Sequence, residues 1–282
     1  MDELTTGYGL IEGPVWDQAR GLIFADVVNG GVRALAPDGR LTTIVAKRRG
    51  VGGMASHADG GLVLGGRDII FQDFDASPPA TLLASAAIDG AVGFNDLTTD
   101  AAGRVWAGSL AYRVIAGEDP VPGHLHVIDL DGTMRIVSDG VMLANGLGFS
   151  PDGRTLYHSD SRSHLVRAYD VTDDGGVAGW RVFAPVTDGI PDGMAVAEDG
   201  SVWLAVADGG RIMVFEADGR LRREIPVPLP MVTSVCFGGE GLRDLYIVTG
   251  SRGGPKDNCG TIYRMAAPVA GLPIAPARVP WR

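Results

Sequence analysis

Six residues occupy one position in a pattern that recurs along the chain, and four of them carry carboxylate or amide oxygens. In chain order they are Glu12, Gly52, Asn95, Asn145, Asp192 and Thr233. Carboxylate and amide oxygens are the ligands that hard divalent cations prefer, and a carboxylate can also move a proton during hydrolysis. A buried side-chain amide without a partner costs on the order of 1–3 kcal/mol. The chemistry therefore depends on whether the fold brings these scattered residues together.

The spacing of the six residues predicts the elements that position them. The intervals are 40, 43, 50, 47 and 41 residues. Each residue opens a segment that closes in a turn glycine, and an apolar strand and a further strand follow, such as "RVWAGS" and "HLHVIDLDG". Four units add another strand, and the Asp-Gly pairs between strands are typical of hairpin turns. A period of about 40–45 residues with four short strands is that of a propeller blade.

We therefore predict an all-β fold, a six-bladed β-propeller with four-stranded blades, as a single domain over residues 1–282. A β-sandwich is the main alternative, but a sandwich has no reason to repeat one strand–turn–strand unit in phase. An N-terminal strand near "GYGLIEG" should pair with the last blade and remove a free edge. The insertion "AYRVIAGEDPVPG", residues 111–123, should form a loop over one face.

In a propeller the innermost strand of each blade lines a central channel, so the six residues would meet at one mouth. Two carboxylates held close to each other disfavour ionisation unless a cation supplies the missing charge. The all-oxygen donor set favours Ca²⁺, Mg²⁺ or Mn²⁺, while Fe²⁺ and Zn²⁺ stay open. The alternative is that each Asn or Asp caps its own turn through local hydrogen bonds. That alternative explains one position better than four positions in the same phase.

Composition narrows the expected partners. The net charge is −10 and no basic run is present, which argues against nucleic acid; an acidic surface favours cations and neutral ligands over anions. No apolar run approaches the roughly 20 residues of a membrane span, and no leader pattern is visible. Cys236 and Cys259 lack metal-type spacing and are expected to be reduced thiols. We expect a cytoplasmic protein with no membrane association and no obligate protein partner.

The motifs resemble, as a set, those of one known family. "IEGPVW" with Glu12, "FNDLTTDAAGRVWAGS" with Asn95, "ANGLGFSPDGRTLYHSDS" with Asn145 and "PDGMAVAEDGSVWLAV" with Asp192 are similar to the senescence marker protein (regucalcin), gluconolactonase and luciferin-regenerating enzyme family. The resemblance covers roughly Gly9 to Arg264. It implies a six-bladed propeller with one divalent metal in the central channel and, in many members, lactone hydrolysis. It further implies Glu12, Asn145 and Asp192 as direct metal ligands, Asn95 beside the metal or the substrate, and Asp192 as catalytic base.

The chain departs from the family pattern at one position. Sugar-lactonase members often read Arg-Phe-Asn-Asp, with the Arg reaching the substrate, whereas Gly93 stands in that place here. Phe94, Tyr112, Met142 and His57 are candidates for substrate contact, and His57 is also a candidate for proton transfer. The substrate is therefore expected to be a small sugar-derived lactone or a less polar one.

The predicted activity is the opening of a lactone by a gluconolactonase-like carboxylic ester hydrolase. A divalent metal ion would polarise the carbonyl and stabilise the oxyanion, Asn95 would donate its amide N–H, and Asp192 would take a proton from water and pass it to the leaving alkoxide. A metal-bound carboxylate is a weak base, so Asp192 has an alternative role in orienting the water. The functional alternatives are a metal-dependent phosphotriesterase or arylesterase on the same scaffold and a non-catalytic metal-binding propeller.

Overall fold

The computed structural model describes residues 1–75 and 77–281, and every strand in them belongs to one of six four-stranded antiparallel sheets. From the innermost strand outward, blades 1 to 3 consist of β2 (Ile11–Asp17), β3 (Gly21–Asp26), β4 (Val32–Leu35), β5 (Leu41–Val45); β6 (Met54–His57), β7 (Gly61–Leu64), β8 (Ile69–Asp73), β9 (Ala80–Leu83); and β10 (Gly93–Thr99), β11 (Val105–Leu110), β12 (Gly123–Ile128), β13 (Met134–Val141). Blades 4 to 6 consist of β14 (Ala144–Phe149), β15 (Thr155–Asp160), β16 (Leu165–Val171), β17 (Val177–Pro185); β18 (Ile190–Val196), β19 (Val202–Ala207), β20 (Arg211–Phe215), β21 (Leu221–Pro226); and β22 (Val232–Gly238), β23 (Asp244–Thr249), β24 (Gly260–Ala266), β1 (Asp2–Tyr8). The predicted propeller is confirmed, and all six blades have a fourth strand, not just the four in which the sequence showed it.

The six blades close into a ring around a central channel. The innermost strands contact one another in the order β2, β6, β10, β14, β18, β22 and back to β2. The first strand of the chain completes the last blade, because β1 pairs with β24 from Asp2↔Arg264 to Tyr8↔Gly260. This is the closure predicted from the sequence, and it covers an edge that would otherwise be open to another chain.

The turn glycines of the repeat adopt backbone angles that other residues avoid. The glycine that closes each of the six segments has a positive φ, between +61° and +93°. At one of these turns the carboxylate of Asp100 accepts the backbone N–H of Ala102, Gly103 and Arg104, each at 3.0 Å. The Asp and Gly residues of the turn end the first strand at an equivalent position in each blade. The position of the turn then sets the register between the two strands that it joins.

Helical structure in the described residues is limited to four 3₁₀ turns, Ser85–Ala87, Val114–Ala116, Ser161–Ser163 and Glu240–Leu242. The insertion expected as a loop joins β11 to β12 and contains the second of these turns. Within the part of the chain that the structure describes, no helix has the length and hydropathy needed to cross a membrane.

The hydrophobic core is divided among the interfaces between blades. Within residues 1–75 and 77–281, six clusters of buried side chains occur, one for each neighbouring pair of blades. Alternate side chains of a strand serve opposite interfaces: in β15, Leu156 packs toward blade 3 and Tyr157 toward blade 5. Since both faces of a blade are buried, the removal of apolar surface from water also fixes each inner strand relative to its neighbours.

The segment after β24 lies against the ends of the inner strands, opposite to their starts. Its hydrogen bonds to the last residues of three inner strands join Leu272 to Val196, Ala275 to Thr99 and Ala277 to Ser56. Ala277 and Val279 are buried, and Trp281 stacks on Phe71 with ring centroids 4.4 Å apart. This end of the channel is therefore covered by the chain itself, and the residues of the repeat pattern lie at the other end.

Candidate metal and active centre

Each of the four oxygen-bearing residues lies at a β-bulge near the start of an inner strand. The pairing of β10 with β11 shifts between Phe94 and Leu97, so that Asn95 and Asp96 lie in the irregular stretch. Similar shifts, each in an inner strand, begin at or just before Glu12, Asn145 and Asp192. A bulge inserts one extra residue and redirects a side chain. At these bulges the four polar side chains thus depart from the alternation that directs the other side chains of the inner strands into the cores between blades.

Three carboxyl groups from blades 1, 3 and 5 are close enough to affect one another. Burial, and then the charges of Asp192 and Asp96, raise the pKa of Glu12 well above its ordinary value. Burial and the charge of Asp96 likewise raise the pKa of Asp192, and burial raises the pKa of Asp96 to about 7. Without a compensating cation, ionising all three groups near neutral pH is unfavourable.

A chain of side-chain hydrogen bonds links blades 3, 4 and 5. Asn95 Nδ2 donates to Asn145 Oδ1 at 2.7 Å. Asn145 Nδ2 in turn donates to Ser161 Oγ at 2.9 Å, and Ser161 Oγ donates to the carbonyl of Pro191, the residue before Asp192. The two amides and the backbone beside Asp192 are thus linked at one end of the channel, and the mutual effect of Glu12 and Asp192 places the two carboxyl groups near each other.

A buried ion pair holds the backbone just ahead of Asn145. Asp160, the last residue of β15, accepts the N–H groups of Met142 and Leu143 at 3.2 Å each. Arg167 Nη2 donates to the same carboxylate at 2.7 Å, and both charged side chains are at most 5% exposed. A charge pair of this kind is costly to break, so the loop that leads into β14 is firmly placed.

The donor set fits a divalent cation. Asp192 is 7% exposed, and its Oδ1 has no hydrogen-bond partner among the described residues, which leaves a buried carboxylate oxygen for another ligand. Gly52 leaves room for the amide of Asn95, because a Cβ there would collide with Asn95 Oδ1. In residues 1–75 and 77–281 no three His, Cys, Asp or Glu side chains form a cluster that would hold a metal. A cation at the ring would therefore depend on amide oxygens as well as on Glu12 and Asp192, a set that suits Ca²⁺, Mg²⁺ or Mn²⁺.

The hydrogen bonds of Asn95 correct the role predicted for it. Its Nδ2 donates to Ala144 O at 2.8 Å and to Asn145 Oδ1 at 2.7 Å. A backbone carbonyl can only accept, so this partner determines which way the amide faces. With both donors engaged, Asn95 does not donate to an ester or an oxyanion in this arrangement. Its Oδ1, which lies against Gly52, is the atom left to meet a cation or a substrate hydroxyl.

Two of the predicted substrate contacts lie away from the ring. Phe94 is 1% exposed and packs in the core between blades 2 and 3, edge-on to His126. His57 is at the far end of β6, where its Nε2 is 3.0 Å from Val279 O and its Nδ1 accepts the N–H of Asp59. Phe94 is thus a core residue and His57 an anchor for the C-terminal segment. The interpretation of Phe94 is wrong because its side chain points to the opposite side of the strand from Asn95. The interpretation of His57 is wrong because it lies at the other end of its strand.

The other two predicted contacts, Tyr112 and Met142, lie in loops at the end of the channel that carries the ring. Tyr112 is 5% exposed, and its hydroxyl has no hydrogen-bond partner among the described residues. Burial raises the pKa of this hydroxyl, while the charge of Arg162 opposes the shift. Met142 is half-buried and lies three residues before Asn145. Their contact with substrate stays a prediction.

Asp96, Asp160 and Ser161 were missed as parts of the site. Blade 1 repeats the Asp160–Arg167 arrangement as Asp26 and Arg33, 3.8 Å apart, so a comparison of the second strands would have revealed it. Asp96 differs from its equivalents in the other blades. The second position of the repeat has a small residue in each of the other five units, namely Gly13, Gly53, Gly146, Gly193 and Ser234.

Comparisons with known proteins agree with the fold. A family model described as SMP-30/Gluconolactonase/LRE-like region matches residues 10–251. The pentonolactonase XacC of Haloferax volcanii is 32% identical over 286 residues, which cover 95% of this chain and 94% of the relative. A 6-deoxy-6-sulfogluconolactonase of Pseudomonas putida is 35% identical over 245 residues, covering 84% and 82%. The solved structure of a luciferin-regenerating enzyme has a TM-score of 0.87 at 25% identity and covers 98% of this chain and 97% of that one.

Proposed function

The chain belongs to the SMP-30/gluconolactonase/LRE-like family, and we propose that it opens a small lactone at the ring of Glu12, Asn95, Asn145 and Asp192 with one divalent cation. It is a lactonase-like carboxylic ester hydrolase, the class to which its pentonolactonase and sulfogluconolactonase relatives belong by name. The observation that carries the proposal is the buried Oδ1 of Asp192, which has no partner among the described residues although two further carboxyl groups are close.

Glu12, Asn145 and Asp192 are the residues we propose as cation ligands, with Asn95 Oδ1 beside them. A cation bound there would supply the positive charge that polarises the lactone carbonyl. Ca²⁺, Mg²⁺ and Mn²⁺ are favoured by the oxygen donors, while Zn²⁺ and Fe²⁺ belong in any test. Cys236 and Cys259 are buried and unpaired, and a reducing cytoplasm is the location we propose.

Asp192 is the residue we propose to move the proton. With one carboxylate oxygen on the cation, the other would accept a proton from the attacking water and return it to the ring oxygen when the acyl C–O bond breaks. Because a cation-bound carboxylate is a weak base, the alternative role of Asp192 is to orient that water. Asn145 and Ser161 hold the neighbouring backbone of blade 5 through the carbonyl of Pro191, which limits the positions that Asp192 can take. The products are a carboxylate and a free hydroxyl on the opened chain.

Hydrolysis assays at constant pH test the proposal. The protein would be stripped of metal with a chelator and assayed on several lactones and on paraoxon, before and after Ca²⁺, Mg²⁺, Mn²⁺, Zn²⁺ or Fe²⁺ is added singly. We expect lactone hydrolysis to return only with metal, most strongly with an oxygen-preferring ion. Turnover of paraoxon without turnover of any lactone would favour the phosphotriesterase alternative. Full lactone activity in stripped protein would contradict the role given to the cation.

The variant Asp192→Asn tests the residue assignment. We expect kcat to fall about 100- to 10,000-fold, because the proton acceptor and a ligand charge are both lost. Metal should no longer raise the melting temperature, whereas the metal-free variant should be at least as stable as metal-free wild type, since repulsion from Asp96 is removed. Asp188→Asn, an exposed acid in the loop before β18, is the matched control. Near-normal turnover by Asp192→Asn in folded protein would rule out this assignment.

A further inference from the structure

Arg252 and Asp208 form a charged pair outside the ring, at the same end of the channel. Asp208 directly follows Ala207, the partner of Ile190 at the start of β18, so it lies close to the strand position of Asp192. Arg252 is in the loop after β23, whose last residue pairs with the first residue of β22. The pair therefore joins blades 5 and 6, next to the first residues of their inner strands β18 and β22.

The geometry of the pair orients the guanidinium. Arg252 Nε donates to Asp208 Oδ1 at 3.0 Å and Nη2 to Oδ2 at 2.8 Å, a bidentate contact that fixes the plane of the fork. Asp208 itself sits in a tight turn with φ of 59°. Arg252 Nη1 has no partner among the described residues, and the side chain is 57% exposed. The guanidinium of Arg252 is thus fixed in orientation by Asp208, and its Nη1 donor faces solvent.

The pair lies beside the start of β18. Asp208 follows Ala207, whose pairing partner Ile190 is two residues before Asp192. A substrate whose carbonyl reaches Asp192 would therefore extend past Arg252 if it leaves the ring toward blades 5 and 6.

The charges of the whole molecule are unequally divided between its two ends. Two sets of loops lie at the end with the ring: those joining the second to the third strand of a blade, and those joining the fourth strand to the next blade. In the described residues these loops carry eight Lys or Arg and seven Asp or Glu, a net charge of +1. The turns at the opposite end carry six Lys or Arg and fourteen Asp or Glu, a net charge of −8. The loops around the ring are therefore not acidic as the whole molecule is, although the ring itself adds the carboxyl groups of Glu12, Asp96 and Asp192.

We propose that Arg252, positioned by Asp208, binds an anionic substituent of the lactone, a carboxylate, phosphate or sulfonate remote from the reacting carbonyl. The inference rests on the proposed lactonase function and adds the substrate class. The planar fork of arginine suits such groups, and the loops at this end do not oppose an anion as the overall charge would. The expectation of neutral or cationic ligands, drawn from net charge, is replaced by this distribution.

Matched substrates that differ only in charge test the inference on metal-loaded protein. Suitable pairs are glucono-δ-lactone with its 6-phosphate, and the γ-lactone of gluconate with that of glucarate. We expect wild type to have a higher kcat/KM for the charged member of a pair, with an advantage that shrinks as ionic strength rises. Arg252→Gln should lower the charged-to-neutral ratio of kcat/KM about tenfold, mainly through KM. Asp208→Asn, which loosens the fork but keeps the cation, should cause a smaller loss.

Arg154→Gln, an exposed arginine in a turn at the opposite end, is the control and should leave the ratio unchanged. Calorimetric titration with 6-phosphogluconate gives a readout that needs no turnover, and its affinity should fall about tenfold in Arg252→Gln. A wild-type ratio of one or below, or a ratio that Arg252→Gln leaves unchanged, overturns this inference and leaves the lactonase proposal standing. If metal-loaded wild type opens no lactone, the lactonase proposal fails, and the titration alone decides whether Arg252 binds an anion.

Discussion

Among single residues, Asn145 receives the most support from its surroundings. Its amide accepts a hydrogen bond from Asn95 and donates one to Ser161, and the carboxylate of Asp160 holds the backbone ahead of it. A ligand amide must present its oxygen in one direction, and contacts from outside the ligand set provide that direction. Asn145 is therefore the ring residue whose orientation depends least on a bound cation.

Two buried histidines make stability depend on pH. His126 and His158 are 0% exposed, and neither ring nitrogen of either residue has a hydrogen-bond partner among the described residues. Burial lowers the pKa of His126 to about 4 and that of His158 to about 3. Both are neutral in the folded protein, whereas the unfolded chain protonates them below a pKa of about 6.5. The contribution of these two histidines to stability is thus retained above about pH 6.5 and is lost as pH falls toward 4.

We expect His158→Leu to reduce this sensitivity to acid. Each buried histidine should lower the free energy of unfolding by about 2 kcal/mol between pH 7 and pH 5, and the variant should lack one such contribution. Protonation of Glu12, Asp96 and Asp192 acts in the opposite direction in both proteins, so the difference between variant and wild type is the quantity that decides. Urea unfolding of metal-free protein at both pH values measures the difference. His164→Asn is the control, because His164 is exposed and its φ of 53° suits asparagine. An equal pH-dependent loss in His158→Leu and wild type would contradict the account.

Among the elements, the inner strands depend on small residues beside the bulges. A Cβ at Gly146 would lie 2.6 Å from Met194 N and 2.7 Å from Asp192 O. A Cβ at Gly193 would likewise collide with Ser234 Oγ. Blades 4, 5 and 6 therefore approach one another by backbone contact at the level of the ring, and this closeness sets the distance between Asn145 and Asp192.

Gly146→Ala should separate blades 4 and 5. Because the colliding atoms are backbone atoms, the strand itself must move, and we expect a loss of about 1–3 kcal/mol in the free energy of unfolding. Metal affinity should fall as well, since Asn145 moves away from Asp192. Chemical denaturation and titration with Ca²⁺ or Mn²⁺ measure the two effects. Gly176→Ala, where a Cβ would meet only side-chain atoms at 3.1 Å or more, is the control. Wild-type stability and affinity in Gly146→Ala would refute the claim of close approach.

For the molecule as a whole, the two ends of the channel differ in charge and in the segments that lie over them. One end carries the ring and loops of nearly balanced charge, and the other carries acidic turns and is crossed by the C-terminal segment. That segment lies beyond residues 10–251, the part matched by the family model. It contacts blades 6, 5, 3 and 2, so it ties together blades that are not all neighbours.

A chain that ends at Pro268 tests the contribution of this segment. We expect the free energy of unfolding to fall by about 2–5 kcal/mol, because Ala270, Ala277 and Val279 lose burial and their covered neighbours become exposed. The kcat at 25 °C should be retained in the folded fraction, since the ring lies at the other end. Ile274→Ser, at a position that is 64% exposed, is the control. An unchanged melting temperature would show that the segment contributes nothing to stability.

The repeat was enough to predict the propeller, its six blades and the meeting of Glu12, Asn95, Asn145 and Asp192. Each repeat unit contains its own strand and turn signals, and the radial symmetry of a propeller brings equivalent positions of the units together. It could not reveal which way Asn95 turns its amide, nor that Phe94 faces an interblade core. Those outcomes follow from bulges and strand direction, which depend on partners in other strands. The contact of His57 with Val279 and the pairing of Arg252 with Asp208 join residues 222 and 44 positions apart. Such contacts exist only once the ring has closed, because neither partner carries a local signal of the other.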